Sequence, residues 1–450
     1  MSTDYLTPPR IAWWFQPATF ILLPVTLSYT AWTALAFWHA NLYKSGPFEK
    51  LAGWAEPSYI DPKGVVLLVV WYATVVAIAT LGWRIGSAGR SPNPRLVSLT
   101  ANPTFEKRYF LLLTAIGAVG IGYAYAKIMA SHSIVAALSS QEGNALTKSM
   151  SGTAGIETLR YTPILAAPVG IYLWRKKIIG FPMMVVAVVL LLMDALIAHR
   201  LGLLMASVVF LAIMVRSAPA SGRRMSRKRL VAMLLAAGVI GFTLLGALNY
   251  FRNANYYRDV GVENPAAMNF FQMGAYLSVP AQVAIGESGA IMRGTWEKDG
   301  DPIDSVNAIV PTFLQFKKIS KDDSWKGDEV YGYSAYFDAS FFTNSVFADT
   351  YADFGAWGWF YVFPLYGFCG FLLAKVVRYP TVIAGSAGVL AYCFSEVWRI
   401  EIVSYGFVIY LMMATVGAAV VAAWSVHGRK RGRAVEPDYD VPRSLVTEPG

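Results

Sequence analysis

Long apolar runs, separated by short polar or basic stretches, recur along the chain. About twenty consecutive apolar residues is what an α-helix needs to cross a bilayer core. The runs are continuous rather than alternating, so they predict helices and not a β-barrel. In order, spans are predicted near Phe20–Trp38, Val65–Trp83 and Tyr109–Ala130. A fourth follows in YTPILAAPVGIYLW, where Pro163 and Pro168 predict a kink. The fifth and sixth, Ile178–Ala198 and Leu201–Val215, meet at a corner holding only His199 and Arg200. Four more are expected at Leu230–Leu248, Trp357–Ala374, Thr381–Trp398 and Ile402–Trp424. The expected fold class is therefore an all-α polytopic membrane protein with about ten transmembrane helices.

Charge orients these spans. Arg84, Arg90, Arg95, Lys107 and Arg108 share one loop with the single acid Glu106, and Arg175, Lys176 and Lys177 end the fourth span. The stretch RSAPASGRRMSRKR contains no acid at all. Basic loops face the cytoplasm, which puts both termini inside and the long segment between the seventh and eighth spans outside. The domain organisation expected is residues 1–249 with helices one to seven, 250–353 as a large external loop, 354–426 with helices eight to ten, and a tail, 427–450. That tail is basic, then acidic and proline-containing, a composition that predicts disorder. The location implied is a bacterial inner membrane, crossed many times.

Composition agrees. Hydrophobic residues make up 56% and charged ones 15%, against about 25% charged in soluble domains. The formal charge of +10 is explained by the basic loops, so nucleic acid is not an expected partner. Cys369 and Cys393 both fall in apolar spans, which argues against a disulfide framework. The first span is longer than the apolar region of a cleavable signal peptide. The sequence carries no Walker-type loop, no HExxH and no Cys/His cluster, so neither nucleotide nor metal is expected and no cofactor is assigned.

The external segment carries the candidate chemistry. It is rich in aromatic rings, among them Tyr256, Tyr257, Tyr276, Tyr331 and Tyr333, whereas a disordered tether would be poor in them. Rings beside carboxylates suit sugars, and an interfacial aromatic belt is the alternative. The stretch NPAAMNFFQMGAYLSVPAQVAIGESG reads as a helix lying on, or dipping into, the membrane. Arg160, Arg200, Arg252, Arg258 and Arg399 sit near helix ends. A guanidinium is always charged and presents a rigid fork of donors, so it suits a diphosphate. The alternative is arginines reaching for ordinary lipid headgroups. Asp194, inside an apolar span, is expected to pair with a cation. Asp338, Asp349, Asp353 and His199 are the candidate proton acceptors, with Glu396 and Glu401 near the same boundary. Asp349 and Asp353 share one helix face if the eighth helix starts early, and a favourable helix dipole would also explain them.

The segment NSVFADTYADFGAWGWFYVFPLYGFCGFLL resembles part of the bacterial oligosaccharide repeat unit (O-antigen, Wzy-type) polymerases, in which a polar run leads to an acidic-x-Tyr-x-x-Phe-Gly-x-x-Gly stretch. FRNANYYRDV, the YLSVP and IVPTF segments and the AHRLGLLMA corner are similar in order to that family's main loop and its arginine-bearing turn. The resemblance covers about the second half of the chain. It implies a GT-C-like membrane glycosyltransferase that moves a glycan from undecaprenyl diphosphate to the terminal sugar of another lipid-linked repeat unit. The partners implied are undecaprenyl diphosphate-linked oligosaccharides and membrane lipids, with a chain-length regulator left open. Arg200, Arg252, Arg258 and Arg399, with Arg160 and the tyrosines Tyr256 and Tyr257, would hold the donor, and the carboxylates would serve the sugar. Two other classes stand beside it. One is an O-antigen ligase-like transferase. The other is a transporter or flippase, for which charged or broken helices deep in the bilayer would speak. A cysteine introduced into 250–353 should react in intact cells with a thiol reagent that cannot cross the membrane. Reaction only after permeabilisation would overturn this topology.

Overall fold

The computed structural model describes residues 14–42, 60–89, 92–131, 155–198, 200–217, 261–295 and 345–432. It also describes 239, 241–243, 245–247, 250, 254–255, 257–259, 302–303, 306 and 310. The protein is helical, with no strand among the described residues. Its long helices are α1 (Pro17–Leu42), α2 (Pro62–Ala88), α4 (Pro103–Ser131), α8 (Pro265–Arg293) and α13 (Gly406–Gly432). Between them lie α3 (Pro94–Thr100), α5 (Pro163–Arg175), α6 (Phe181–Ala198), α7 (Arg200–Ser217), α9 (Val346–Phe354), α10 (Gly358–Val376), α11 (Thr381–Ala384) and α12 (Ala387–Ser395). Four segments are long and apolar enough to cross a membrane: Pro62–Ala88, Pro103–Ala130, Val346–Val376 and Gly406–Val426. Phe181–Ile197, Leu201–Ser217 and Val382–Ser395 are shorter apolar helices. Large apolar side chains such as Val66, Val69, Phe368 and Val420 point outward, as a lipid-facing surface requires. The protein is a membrane-embedded helical bundle.

Local sequence explains where the helices begin. Asp61 accepts from the Lys63 amide at 2.9 Å and is followed by Pro62; Asn93 with Pro94 and Asn264 with Pro265 repeat the device. A short side-chain acceptor satisfies an orphan amide, and proline at the first helical position has none to satisfy. At the end of α8, Gly294 takes the left-handed conformation, φ 71°, that closes a helix.

The tightest pairing joins α2 to α10. Gly82 and Gly86 face Gly367, Phe371 and Ala374, while Gly370 lies on the Ala79 carbonyl. Contacts advance together along both helices, so the two run parallel. Small residues let the backbones touch, and van der Waals packing drives helix association in lipid. Basic side chains then bind exposed helix ends together. Arg378 donates to the carbonyls of Ser87 and Gly89, and Arg216 Nε donates to Tyr379 O at 2.9 Å.

The helix expected within 250–353 is present and runs further than the quoted stretch, while the eighth and ninth spans depart from the hydropathy reading. The chain around 265–293 forms a helix of 29 residues, about 43 Å long at 1.5 Å per residue. It packs lengthwise on α1, where Ser28 Oγ donates to Leu277 O at 2.6 Å and Trp32 Nε1 to Gln282 Oε1. The expected eighth span starts earlier, at Val346, and breaks at Gly355. The expected ninth is two short helices that end at Ser395, before a turn. The helices α1, α2, α4, α6 and α7 follow the apolar runs closely.

Gly82→Leu should destabilise the protein by about 1–3 kcal/mol, because the new side chain has only the Gly367 backbone to enter. Gly417→Ala meets nothing within 4 Å and should be neutral or stabilising by up to about 1 kcal/mol, since alanine suits a helix interior better than glycine. Thermal unfolding in detergent measures both, and equal midpoints for the two variants would contradict the packing described.

Candidate functional site

Two helices end inside the bundle, next to each other. Ser345, which caps α9 by accepting from the Ala348 amide at 3.1 Å, is fully buried. The adjacent Val346 amide donates to Val397 O, 3.2 Å away in the turn after α12. Trp71 of α2 explains how α9 runs. Its ring meets both Phe347 (centroids 5.7 Å apart) and Phe363 (6.5 Å). Sixteen residues of straight helix would set those two phenylalanines about 24 Å apart. Instead α9 folds back along α10 as a hairpin. Gly355, at φ 59°, forms the corner, Trp359 Nε1 donates to Tyr351 OH at 2.7 Å, and Phe354 stacks on Tyr361.

The turn after α12 is irregular but internally bonded. The amides of Arg399 and Ile400 both donate to Glu396 O at 2.8 Å, and Ser404 Oγ donates to Glu401 O at 2.6 Å. Non-helical backbone away from water is tolerated only when its polar groups are satisfied in this way. Within this turn Arg399 Nε donates to Glu396 Oε2 at 2.6 Å, and both side chains are about 5% exposed. The Arg399 guanidinium also lies 4.3 Å from the centre of the Tyr276 ring, a cation–π contact that gains strength away from water.

Further buried acids lie on the elements that meet at this turn. Asp349 and Asp353 both lie on α9 and are buried. Asp349 sits in its first turn, where the helix dipole favours negative charge. Glu401 is buried in the turn, and Tyr361 lies within electrostatic range of both Glu401 and Asp353. From α8, the fully buried Glu287 lies within electrostatic range of Tyr351. One face of α8 supplies much of the wall. Asn269, Gln272, Tyr276, Val279, Val283 and Glu287 recur at spacings of three and four, which is one side of a helix. Gln272 accepts from the buried Tyr257 hydroxyl at 2.5 Å, one turn from the Tyr276–Arg399 contact.

Arg160 forms a second, smaller charged group. Its Nε lies 3.9 Å from Asp194 Oδ1, and NH2 donates to Tyr161 OH at 2.8 Å. Both charged side chains are buried, so Asp194 has the cationic partner its position demands. Burial disfavours the Arg160 charge, but Tyr161, Asp194 and Glu157 outweigh it and the pKa is raised. Tyr161 packs on Phe407, centroids 4.8 Å apart, which ties this group to the start of α13 just beyond Glu401.

The structure thus brings Asp349, Asp353 and Arg399 into one buried region and sets Tyr257 on the same face of α8. Arg258 is exposed and donates to Tyr250 OH at 2.9 Å and Asn255 Oδ1 at 3.2 Å. Arg200 opens α7, of which the backbone alone is described at that position. His199, Arg252, Tyr256 and Asp338 lie outside the described residues. Sequence reasoning missed Glu287 and the polar face of α8; the helical spacing of its polar residues was the available signal. Among the described residues no group of His, Cys, Asp and Glu could hold a metal ion. Comparisons with family models, curated proteins and solved structures find nothing that matches the chain.

Removing one partner of a buried ion pair leaves an uncompensated charge, so Arg399→Met alone should cost about 3–5 kcal/mol. The double variant Glu396→Met with Arg399→Met should recover most of that loss. Unfolding midpoints measure the difference, and a double variant no better than the single one would contradict the pairing.

Proposed function

We propose that the protein is an oligosaccharide repeat unit polymerase of the Wzy-type family, a GT-C-like transferase acting at the periplasmic face of a bacterial inner membrane. Both termini would be cytoplasmic, and its substrates would be glycans carried on undecaprenyl diphosphate. The observation that carries this reading is the Arg399 guanidinium, held by Glu396 and Tyr276 in the turn whose Val397 carbonyl takes the first amide of α9, the helix that carries Asp349 and Asp353. A fixed cation stabilises the charge that builds on a departing diphosphate without having to reorganise. Arg160, also buried and held by its neighbours, is a second such group. Arg200, Arg252 and Arg258 would complete the donor grip, with Tyr256 and Tyr257 lining it.

The chemistry is a displacement at the anomeric carbon. A hydroxyl oxygen of the acceptor sugar forms the new bond to that carbon. The bond from carbon to diphosphate oxygen breaks, and its electron pair leaves with the diphosphate. The hydroxyl proton passes to a base, for which Asp349, Asp353, Asp338 and His199 are the candidates. Diphosphate is a good leaving group and needs no acid to protonate it. The aromatic rings around Asp353, namely Tyr351, Phe354, Trp359 and Tyr361, suit the apolar faces of sugars.

One observation favours a second reading, transport of the lipid-linked glycan. Helices that end inside a bundle beside buried charges are a feature of transporters, and α9 and α12 do so. Deletion separates the readings on a gel of surface glycan. A polymerase leaves single repeat units and removes the ladder. A transporter removes single units as well, and a ligase leaves polymer unattached to its lipid core. We expect loss of the ladder alone. Arg200→Ala and Arg258→Ala should reproduce that loss at unchanged protein abundance. An intact ladder in the deletion strain would end the polymerase proposal.

A further inference from the structure

The ends of α2, α5, α7 and α10 lie together. Arg378 reaches the Ser87 and Gly89 carbonyls, Arg216 reaches Tyr379 O, and Arg175 reaches Met214 Sδ at 3.6 Å. At this end the corner from α5 to α6 carries Arg175, Lys176 and Lys177, all exposed. Lys176 is engaged elsewhere, its Nζ 3.8 Å from the buried Glu106 and 4.5 Å from the centre of the Tyr172 ring. Among the described residues no acid pairs with Arg175 or Lys177. Lys177 is the unusual one. Alone among the described non-glycine residues it has a positive φ, 60°, in the left-handed region that a side chain disfavours. The amides of Lys176, Lys177 and Ile178 donate to the carbonyls of Tyr172, Trp174 and Leu173 at 3.1, 2.8 and 2.9 Å. A helix closed by this pattern normally has glycine where Lys177 stands. Those carbonyls are satisfied by the amides, so the lysine charge is not needed to cap them. Beside it, Trp174 and Phe181 are 41% and 57% exposed, with ring centroids 5.7 Å apart. Exposed aromatic rings next to cations mark the headgroup level of a membrane.

We propose that the α5–α6 corner binds an anionic phospholipid, its phosphate between Arg175 and Lys177 and its glycerol and upper acyl chain against Trp174 and Phe181. A guanidinium fork suits phosphate oxygens, and an ammonium adds a point charge. A soluble phosphate offers the same oxygens, but only a lipid also covers the exposed ring pair. A lysine held in a strained conformation that glycine would adopt freely fits a charge kept for a ligand. The inference stands apart from the transferase reading, since none of these residues belongs to the diphosphate site.

Thermal unfolding of the full-length protein in a neutral detergent tests it, with phosphatidylglycerol, phosphatidylcholine or glycerol phosphate added at equal concentration. Phosphatidylglycerol should raise the wild-type midpoint by about 2 °C or more, as a ligand of the folded state does, and the other two should not. Lys177→Gly should start from an equal or higher midpoint, because glycine suits this backbone, and should lose about half or more of that rise. Arg175→Gln should lose it too, whereas Arg84→Gln, which removes an exposed charge from α2 at the same end, should keep it. No rise in the wild type, an undiminished rise in Lys177→Gly, or an equal loss in Arg84→Gln would overturn the site. A rise matched by phosphatidylcholine or by glycerol phosphate would overturn its assignment to an anionic lipid. A lower starting midpoint for Lys177→Gly would give that side chain a packing role and overturn the proposal as well.

Discussion

A helix that stops inside an apolar bundle leaves amides or carbonyls with no water to receive them, and each must find a partner in the protein. Among the described residues the start of α9 and the end of α12 are such ends, and the protein solves both by placing them together. The Val346 amide is taken by Val397 O, Ser345 covers the next turn of α9, and the 396–405 turn bonds to itself. Glu396 and Arg399 sit at the junction as an ion pair of 2.6 Å. The hairpin of α9 and α10, the stacking of Tyr276 over Arg399 and the positions of Asp349 and Asp353 all depend on that meeting of ends.

The surroundings hold the junction rather than merely enclose it. Glycine contacts between α2 and α10 bring Trp71 against Phe347 and Phe363, so the hairpin has a rigid back wall. Packed on α2 as well, where Gly64 meets the Gly289 backbone, α8 presents Gln272, Tyr276 and Glu287 on one face while bonding to α1 through Ser28 and Trp32. Burying polar side chains is costly unless they are bonded, and Asn269, Gln272 and Gln282 each bond to another part of the chain. Stability alone does not account for the charged pair, since apolar replacements of buried ion pairs are often neutral or favourable. A fixed cation beside carboxylates has a use in handling a diphosphate and a sugar, and the proposed transferase reading rests there.

The sequence made some of this legible and hid the rest for physical reasons. Uninterrupted apolar runs announced α2, α4, α6 and α7, because lipid tolerates little else. The early start of α9, which puts Asp349 and Asp353 on one helix, was anticipated as a condition. Its break was not, since FGAWGWF is as apolar and aromatic as the helix it interrupts, and only the left-handed Gly355 betrays a corner. The turn at Glu396 hid in the same way behind continuous hydropathy. Asp194 advertised its need for a cation, but Arg160 stands 34 positions away in sequence, and proximity in space cannot be read from that spacing. The helix α8 was legible as a helix, but its mixed polar and apolar composition also suits a membrane surface, so its packing on α1 was not.

The central claim is that the meeting point of α9 and α12 is shaped to hold an isoprenoid diphosphate through Arg399. Native mass spectrometry of the purified protein, released from detergent after incubation with an undecaprenyl diphosphate-linked oligosaccharide or with undecaprenol, tests it most directly. The account predicts a retained adduct with the diphosphate only, lost in the folded Glu396→Met, Arg399→Met double variant. Equal retention of both lipids, or full retention by the double variant, would contradict it.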